Sequence, residues 1–366
     1  MSKVSIAIIT PSLGNGGAER VSSQVSIFLS NLGYDVTVFA AYSNQDFQFK
    51  GTYVHLGLDN NKVNRFSLMR RSFFKLFASI KNGSFDIIVD FRSRRIFFIE
   101  TLFHLFIYSK VKHVFLTIHL PLIEKYIPRP WFVFKPIYKR ATGLIAVSQA
   151  INDNLKVLGY SNSKIIKNAV DFGYIDDKKH EALDFSNIPY VLAAGRMDDD
   201  IKRFDHIIKA YANSVLPGKG VQLVILGDGK IKPELIELSK NVGYGHLIRF
   251  DGFQKNPFKY FAEAQFFILS SRYEGFPMVL IESLACGTPV ISYDCPTGPS
   301  EIINDGYNGL LIENGNMAAL STAISRMYTD EKLYAFCKNN ARQSVDHLAM
   351  EHIQQQWLTL LETTAV

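Results

Sequence analysis

Short blocks of consecutive apolar residues alternate along this chain with longer stretches in which apolar residues recur every three or four positions. Residues 4–9 read as a buried strand. Glycines at 14, 16 and 17 break that run, and over 18–32 the residues Val21, Val25, Phe28, Leu29 and Leu32 fall on one helical face, with Gly33 as a stop. Further strand runs lie at 35–40, 86–91, 113–118 and 143–147. A second series occupies 190–195, 221–226, 247–250, 266–269 and 289–292, separated by helical patterns at 204–211, 232–241, 279–286 and 317–328. Strands that are apolar throughout are covered on both faces, and strand–helix alternation builds parallel sheets. The expectation is an α/β chain of two doubly wound parallel-sheet domains, 1–170 and 171–345, facing across a cleft, followed by a C-terminal helix over 346–366 around Trp357. Asp171, Asp176-Asp177-Lys178-Lys179 and residues 184–189 read as an exposed linker at the join.

A length of 366 residues supports two domains, and 47% hydrophobic against 20% charged residues excludes wholesale disorder. Three cysteines, with no CxxC pair, give neither a disulfide framework nor a zinc site and fit a reducing compartment. No apolar run reaches the roughly 20 residues that span a bilayer, and residues 96–108 come nearest, interrupted by Glu100 and His104. With no signal-peptide pattern, the expected location is the cytoplasm or the inner face of the cell membrane. Charge is uneven: residues 1–170 hold 22 Lys/Arg against 9 Asp/Glu, a surplus of +13, and 171–366 hold 18 against 25, a deficit of −7. The basic half interleaves cations with aromatics at Arg65-Phe66, Arg70-Arg71-Ser72-Phe73-Phe74-Lys75 and Arg129-Pro130-Trp131-Phe132. Three readings stand for it: contact with an anionic membrane surface, solvated helix faces over an ordinary core, and nucleic acid, for which no recognition module is present.

Open parallel sheets bind ligands beyond the carboxyl ends of their strands. Gly14-Asn15-Gly16-Gly17 follows the first strand and opens a helix, where bare N–H groups favour a phosphate. The spacing matches neither GxGxxG nor a Walker loop, so a tight structural turn is the competing reading. Gly195-Arg196 closes the first strand of the second series and Lys202 follows, two cations able to clamp a departing diphosphate. The run Ser271-Arg272-Tyr273-Glu274-Gly275-Phe276-Pro277-Met278-Val279-Leu280-Ile281-Glu282 places Glu274 in a loop and Glu282 one turn inside a helix. Glu274 could meet a sugar hydroxyl and Glu282 a ribose, with free N–H groups of Met278 to Leu280 facing phosphate.

Together with Gly227-Asp228-Gly229 and Ala285-Cys286-Gly287-Thr288-Pro289-Val290, these motifs resemble the signature of retaining family 4 glycosyltransferases of the GT-B fold, strongly over 190–312 and more thinly over 40–140. The resemblance implies two Rossmann-like domains and metal-independent transfer of a sugar from a nucleotide donor, with no cofactor. It implies Arg196 and Lys202 on the donor diphosphate, Glu274 on the sugar, Glu282 on the ribose, and Gly16, Gly17, Gly195 and the 275–280 loop around the donor. His119 matches a family histidine facing the donor sugar. The usual Lys-Gly pair reads Lys202-Arg203 here, so Arg203 is the alternative phosphate ligand. Asp198-x-Asp200 mimics the metal-binding pattern of GT-A transferases and reads instead as a surface acidic loop. Asp294-Cys295-Pro296-Thr297-Gly298-Pro299 resembles enzymes extending lipid-linked or polysaccharide chains. The expected donor is UDP-GalNAc, UDP-GlcNAc or UDP-Glc, and the expected acceptor a saccharide or polyprenyl-diphosphate-linked sugar. A non-catalytic nucleotide-sugar-binding scaffold and a nucleotide-sugar epimerase of the same fold are the alternatives.

Overall fold

A computed structural model describes residues 3–14, 16–59, 64–128, 131–183 and 188–365. Asn15, Arg129-Pro130 and residues 184–187 of the expected linker lie outside them. The chain divides into two compact units, Met1–Asn168 with Ile353–Val366, and Ala169–His352. The terminal helix Met350–Ala365 begins in the second and ends in the first.

The first unit is built on seven parallel strands, β1 (Ser5–Thr10), β2 (Asp35–Ala40), β3 (Thr52–His55), β4 (Ile87–Asp90), β5 (His113–Ile118), β6 (Gly143–Ala146) and β7 (Ser163–Ile165), in the order β3-β2-β1-β4-β5-β6-β7. The second has six, β8 (Tyr190–Ala194), β9 (Gln222–Leu226), β10 (Ile248–Gly252), β11 (Phe267–Leu269), β12 (Val290–Asp294) and β13 (Gly309–Glu313), in the order β10-β9-β8-β11-β12-β13. Both are doubly wound, as the pattern implies. Each sheet has a point where the strand order reverses, between β1 and β4 and between β8 and β11, and that is where such sheets open a crevice for ligands.

The sequence pattern misses β3, β7 and β13. All three are edge strands. β3 and β13 are partly exposed and β7 is only three residues long, so none presents a long apolar run. The stretch 171–179 is not an exposed linker. Asp171 caps a helix, Phe172–Lys178, by accepting from the Tyr174 N–H at 2.9 Å. That helix buries Ile175, sets Tyr174 edge-on to Phe258, and carries Asp176, whose carboxylate Arg342 grips at 2.6 and 3.1 Å. A single buried apolar residue beside the charged run 176–179 left no period to read.

No described helix is long and apolar enough to cross a membrane.

Candidate functional site

In the second unit the signature residues collect where β8 and β11 lie side by side. The loop after β8 is held against the loop after β9 by backbone alone: Gly195 N–H donates to Leu226 carbonyl at 3.0 Å, Met197 N–H to Asp228 carbonyl at 2.8 Å. Glycine is required there. A Cβ on Gly227 would sit 1.9 Å from the Gly195 carbonyl oxygen, and one on Gly229 would sit 2.2 Å from the Met197 carbonyl carbon. Arg196 emerges from this braced turn exposed, and its side chain makes no ion pair with any described residue.

Lys202 lies over Gly195. Its Nζ donates to Glu274 Oε1 at 2.5 Å, and the buried Ser271 hydroxyl donates to the same oxygen at 2.6 Å. Glu274 is 8% exposed, and its backbone carbonyl accepts from the Thr297 hydroxyl. Thr297 itself has left-handed backbone, φ +65°. Ser270, at the end of β11, donates to the carbonyls of both Lys202 (2.7 Å) and Arg203 (2.8 Å). Glu274 is thus fixed through its side chain and its main chain, by residues 23 and 72 positions away. Ser270, Ser271 and Thr297 were not singled out in the sequence. The last two stood inside quoted motifs, where a hydroxyl beside a functional carboxylate was the signal.

Arg203 occupies the position where the family usually has glycine, and its φ is +45°. Left-handed backbone costs an ordinary residue about 1–2 kcal/mol. Its guanidinium turns to Asn314 Oδ1 (3.1 Å) and over the Tyr293 ring, 5.8 Å from the centroid, while Lys202 turns to Glu274. Of the two cations, Lys202 is the one set with the signature carboxylate.

The loop after Glu274 is buried at Gly275, Phe276 and Pro277, and it leads into the helix Met278–Ala285. Met278 and Val279 open that helix, so their N–H groups have no acceptor within it. The expectation fails at Leu280. Its N–H is already given to the Pro277 carbonyl at 3.2 Å and its side chain is fully buried, because Pro277 starts a tight first turn. Glu282 sits on the same helix, 3% exposed. Its charge and, first, burial push the Cys286 thiol up to about 12. Asp200 is taken by Arg272 at 2.5 Å, and Asp199 accepts from the Ile201 N–H, as a surface acidic loop would. Among the described residues no cluster of three His, Cys, Asp or Glu is arranged to hold a metal.

In the first unit, Gly16 precedes and Gly17 begins the helix Gly17–Asn31 just beyond β1, and the space beside Gly17 is open. Hydroxyls brace the turn: Ser22 donates to Thr10 at 3.0 Å, Thr10 to the Ser12 carbonyl and Ser12 to the Gly14 carbonyl. His119 follows β5, 9% exposed, with its ring 5.6 Å from Phe91. Burial first, then Arg94, hold its pKa down at about 3. The imidazole is neutral, and its tautomer follows from its neighbour. The Thr117 hydroxyl gives its proton to the Asp90 carbonyl, so at 2.9 Å it can only accept from His119 Nε2–H. Nδ1 is then the acceptor.

Beside it the sequence reading missed a buried ionic cluster at the carboxyl end of β4. Asp90 is fully buried, and although burial opposes it, Arg92 and Arg94 hold its carboxyl below the usual range. Arg92 reaches Asp90 at 2.8 Å and stacks 3.6 Å over the Phe103 ring. Arg94, fully buried, spends its guanidinium on the carbonyls of Asp90, Arg92, Thr117 and Tyr126. An acidic residue closing the otherwise apolar strand 87–90 was the available signal.

Two doubly wound parallel sheets, one with cations and a clamped glutamate at its switch point, define a GT-B type chain. The model for glycosyl transferases group 1 matches residues 175–344 and that for glycosyltransferase family 4 matches 15–173, so the chain belongs to this family of glycosyltransferases. It is 34% identical, over 58% of its own length and 57% of the other's, to the Campylobacter jejuni N-acetylgalactosamine-N,N'-diacetylbacillosaminyl-diphospho-undecaprenol 4-alpha-N-acetylgalactosaminyltransferase. A second Campylobacter jejuni protein, a GalNAc-alpha-(1->4)-GalNAc-alpha-(1->3)-diNAcBac-PP-undecaprenol alpha-1,4-N-acetyl-D-galactosaminyltransferase, is 25% identical over 99% of this chain and 98% of that one. The alignment with the first spans little more than half of that relative. Among solved structures, HepE of Anabaena in complex with UDP and glucose superposes with a TM-score of 0.78 at 18% identity, covering 98% of this chain and 100% of the other, which shows a shared fold.

Proposed function

We propose that this protein is a retaining glycosyltransferase that moves a sugar from a UDP-sugar to a hydroxyl of a lipid-linked or growing cell-surface saccharide, in the cytoplasm and without a bound metal. The observation that carries the reading is the Lys202–Glu274 pair at 2.5 Å at the switch point of the second sheet, one turn of chain from the exposed Arg196. In this reading Arg196, Lys202 and the N–H groups of Met278 and Val279 take the charge that builds on the departing diphosphate, the largest single source of rate in reactions of this type. Glu274, its carboxylate held by Ser271 and its main chain by Thr297, accepts from a hydroxyl of the transferred sugar. Glu282 takes the ribose. His119, neutral and with Nδ1 as acceptor, binds a sugar hydroxyl rather than an anion. With the leaving group shielded on one face, its own oxygen removes the acceptor proton there, giving retention. The C. jejuni relatives, named as N-acetylgalactosaminyltransferases acting on undecaprenol diphosphate-linked sugars, favour UDP-GalNAc and a polyprenyl-diphosphate acceptor. The UDP in the HepE complex favours uridine as the base.

A panel of UDP-, GDP- and ADP-sugars tested by thermal shift checks the donor. A ligand at about 100 times its dissociation constant adds roughly 2.7 kcal/mol, so UDP-sugars should raise the melting point and the others should not. With the matching acceptor, product anomer by NMR tests retention, and full activity in EDTA tests metal independence. Replacing Arg196 by Ala should cost about 10²–10³ in rate; an unchanged rate would end the assignment.

A further inference from the structure

Backbone strain in this chain collects at one place. Among the described residues three that are not glycine have left-handed backbone: Ser84 (φ +46°), Arg203 (+45°) and Thr297 (+65°). Two of the three flank the Lys202–Glu274 pair, Arg203 as the residue after the lysine and Thr297 through its hydrogen bond to the glutamate. Thr297 is the more strained, because a branched Cβ fits this region worst. Such positions persist only where the surrounding structure over-determines them, and they gather at sites that act on ligands.

The loop after β12 is pinned against the loop that carries Glu274. Glu274 N–H donates to the Pro296 carbonyl at 3.5 Å, and the Glu274 carbonyl accepts from the Thr297 hydroxyl. Two consecutive residues thus bracket the main chain of one. Gly298 follows with φ +92° and ψ −65°, and a Cβ there would sit 2.6 Å from Pro277 Cδ and 3.0 Å from the Gly275 carbonyl oxygen. The chain then leaves in a tight turn, with the Glu301 N–H given to the Gly298 carbonyl at 3.0 Å. Glycine at 297 would adopt the observed backbone without strain, but it has no hydroxyl to give. Thr297 keeps the bond and bears the strain.

We propose that Thr297 is a positioning residue for sugar transfer: its hydroxyl, acting through the Glu274 main chain, sets where that carboxylate meets the transferred sugar. The proposal rests on the reading of Glu274 as a sugar ligand and deepens it. The competing role is structural, closure of the turn before Pro299, and in that case turnover would follow melting temperature from variant to variant.

The test compares the full-length wild type with Thr297→Ser, which keeps the hydroxyl, Thr297→Val, which keeps the shape without it, and Thr297→Gly, which loses it and relaxes the backbone. Ser84→Gly calibrates what relaxation alone does to the melting point. The readouts are melting temperature, UDP affinity by calorimetry, and UDP release from UDP-GalNAc without acceptor. Thr297→Gly should melt about 2–4 °C above Thr297→Val. Both should nevertheless lose about 10–100-fold in kcat, the scale of a small misplacement at a reacting centre, while UDP affinity stays within about threefold. Thr297→Ser should restore kcat to within about threefold of wild type. Hydrogen exchange over residues 270–278, which needs no donor, should be faster in the Val and Gly variants than in wild type and Thr297→Ser. A Thr297→Gly protein that turns over like wild type would overturn the proposal, as would a Thr297→Ser protein as slow as Thr297→Val. If wild type releases no UDP from UDP-GalNAc, that donor reading fails by itself and exchange decides: unchanged exchange in the Val and Gly variants overturns the bracket, and faster exchange upholds it.

Discussion

Replacing Lys202 with Met separates two roles that one side chain holds. Its ammonium neutralises Glu274 at 2.5 Å, with side chains 22% and 10% exposed. A charge-assisted hydrogen bond of this kind is worth about 1.5–3 kcal/mol. The lysine is partly solvated, and Ser271 still donates to the carboxylate at 2.6 Å, so the lower part of that range applies. A loss of about 1.5–2 kcal/mol should lower the melting point by about 3–8 °C in a unit of this size. The second role appears only with donor present. Losing one cation from the diphosphate should weaken UDP binding about 10–100-fold and cut turnover about 10²–10³. Adding Glu274→Gln removes the carboxylate that Lys202→Met leaves uncompensated. The double variant should regain about 1 kcal/mol of stability, a coupling typical of residues in contact, and recover none of the UDP affinity. Melting curves and calorimetry with UDP read both effects and need no acceptor. Arg203→Ala, measured alongside, should change UDP affinity less than about threefold, since its guanidinium faces Asn314 and Tyr293. If Lys202→Met binds UDP like wild type while Arg203→Ala loses it, the phosphate ligand is Arg203 and the reasoning is wrong.

Three further outcomes follow from the same geometry. His119, with a folded pKa near 3 against an ordinary 6.5, should show no imidazole titration by NMR between pH 5 and 8; because its folded pKa is depressed, it costs no stability above about pH 6.5 and destabilises progressively as pH falls towards 3, and a midpoint near 6.5 would refute the burial that keeps it neutral. Glu100 is raised to about 7, first by burial, which Arg92 at 3.4 Å only partly offsets; a raised pKa favours the fold below about pH 4.5 and loses that contribution as pH rises through 7, so Glu100→Gln should gain stability relative to wild type between pH 5 and pH 8 in urea titrations, and a relative loss would contradict the sign. Gly227→Ala, whose Cβ would meet the Gly195 carbonyl at 1.9 Å, should cost several kcal/mol or prevent folding, while Gly218→Ala, with nothing within 4 Å, should stay within about 0.5 kcal/mol; equal melting points would show that the β8–β9 turn yields.

Interior strands were readable because they are covered on both faces and are apolar throughout, as in Ile6–Ile9 and Val191–Ala194. Their carboxyl ends could then be read for chemistry, which is how Gly195, Arg196 and Glu274 came to light. Edge strands β3, β7 and β13 carry no such signature, because half their surface faces solvent or they are too short to show a period. The helix Phe172–Lys178 was hidden for a related reason: one buried Ile175 among charges leaves no periodicity to find. Buried charges were the hardest feature. Arg92 and Arg94 look like surface residues in the sequence, and only the approach of Thr117, Tyr126 and Glu100 from distant positions shows that their donors are satisfied inside the fold.

The two sheets hold their switch-point residues by different physical means, and this affects how each could change. In the second unit the positions are set by backbone: Gly195, Gly227 and Gly229 allow main chains to touch, and hydroxyls from Ser270, Ser271 and Thr297 tie down Lys202 and Glu274. Side chains around such a frame can be exchanged without moving it. Arg203 shows this, standing in left-handed backbone where glycine would be relaxed, with the Ser270 hydroxyl still bonded to its carbonyl. In the first unit His119 is set by Thr117, Thr117 by the Asp90 carbonyl, and that carbonyl by Arg94. Removing one member strands a buried polar group, whose cost is greatest when the group is charged. The half that would recognise a common donor therefore rests on a tolerant scaffold. In the first unit the rigid part is the charged wedge beneath His119, and variation is cheapest on the outer helices, where the exposed aromatic and basic residues stand.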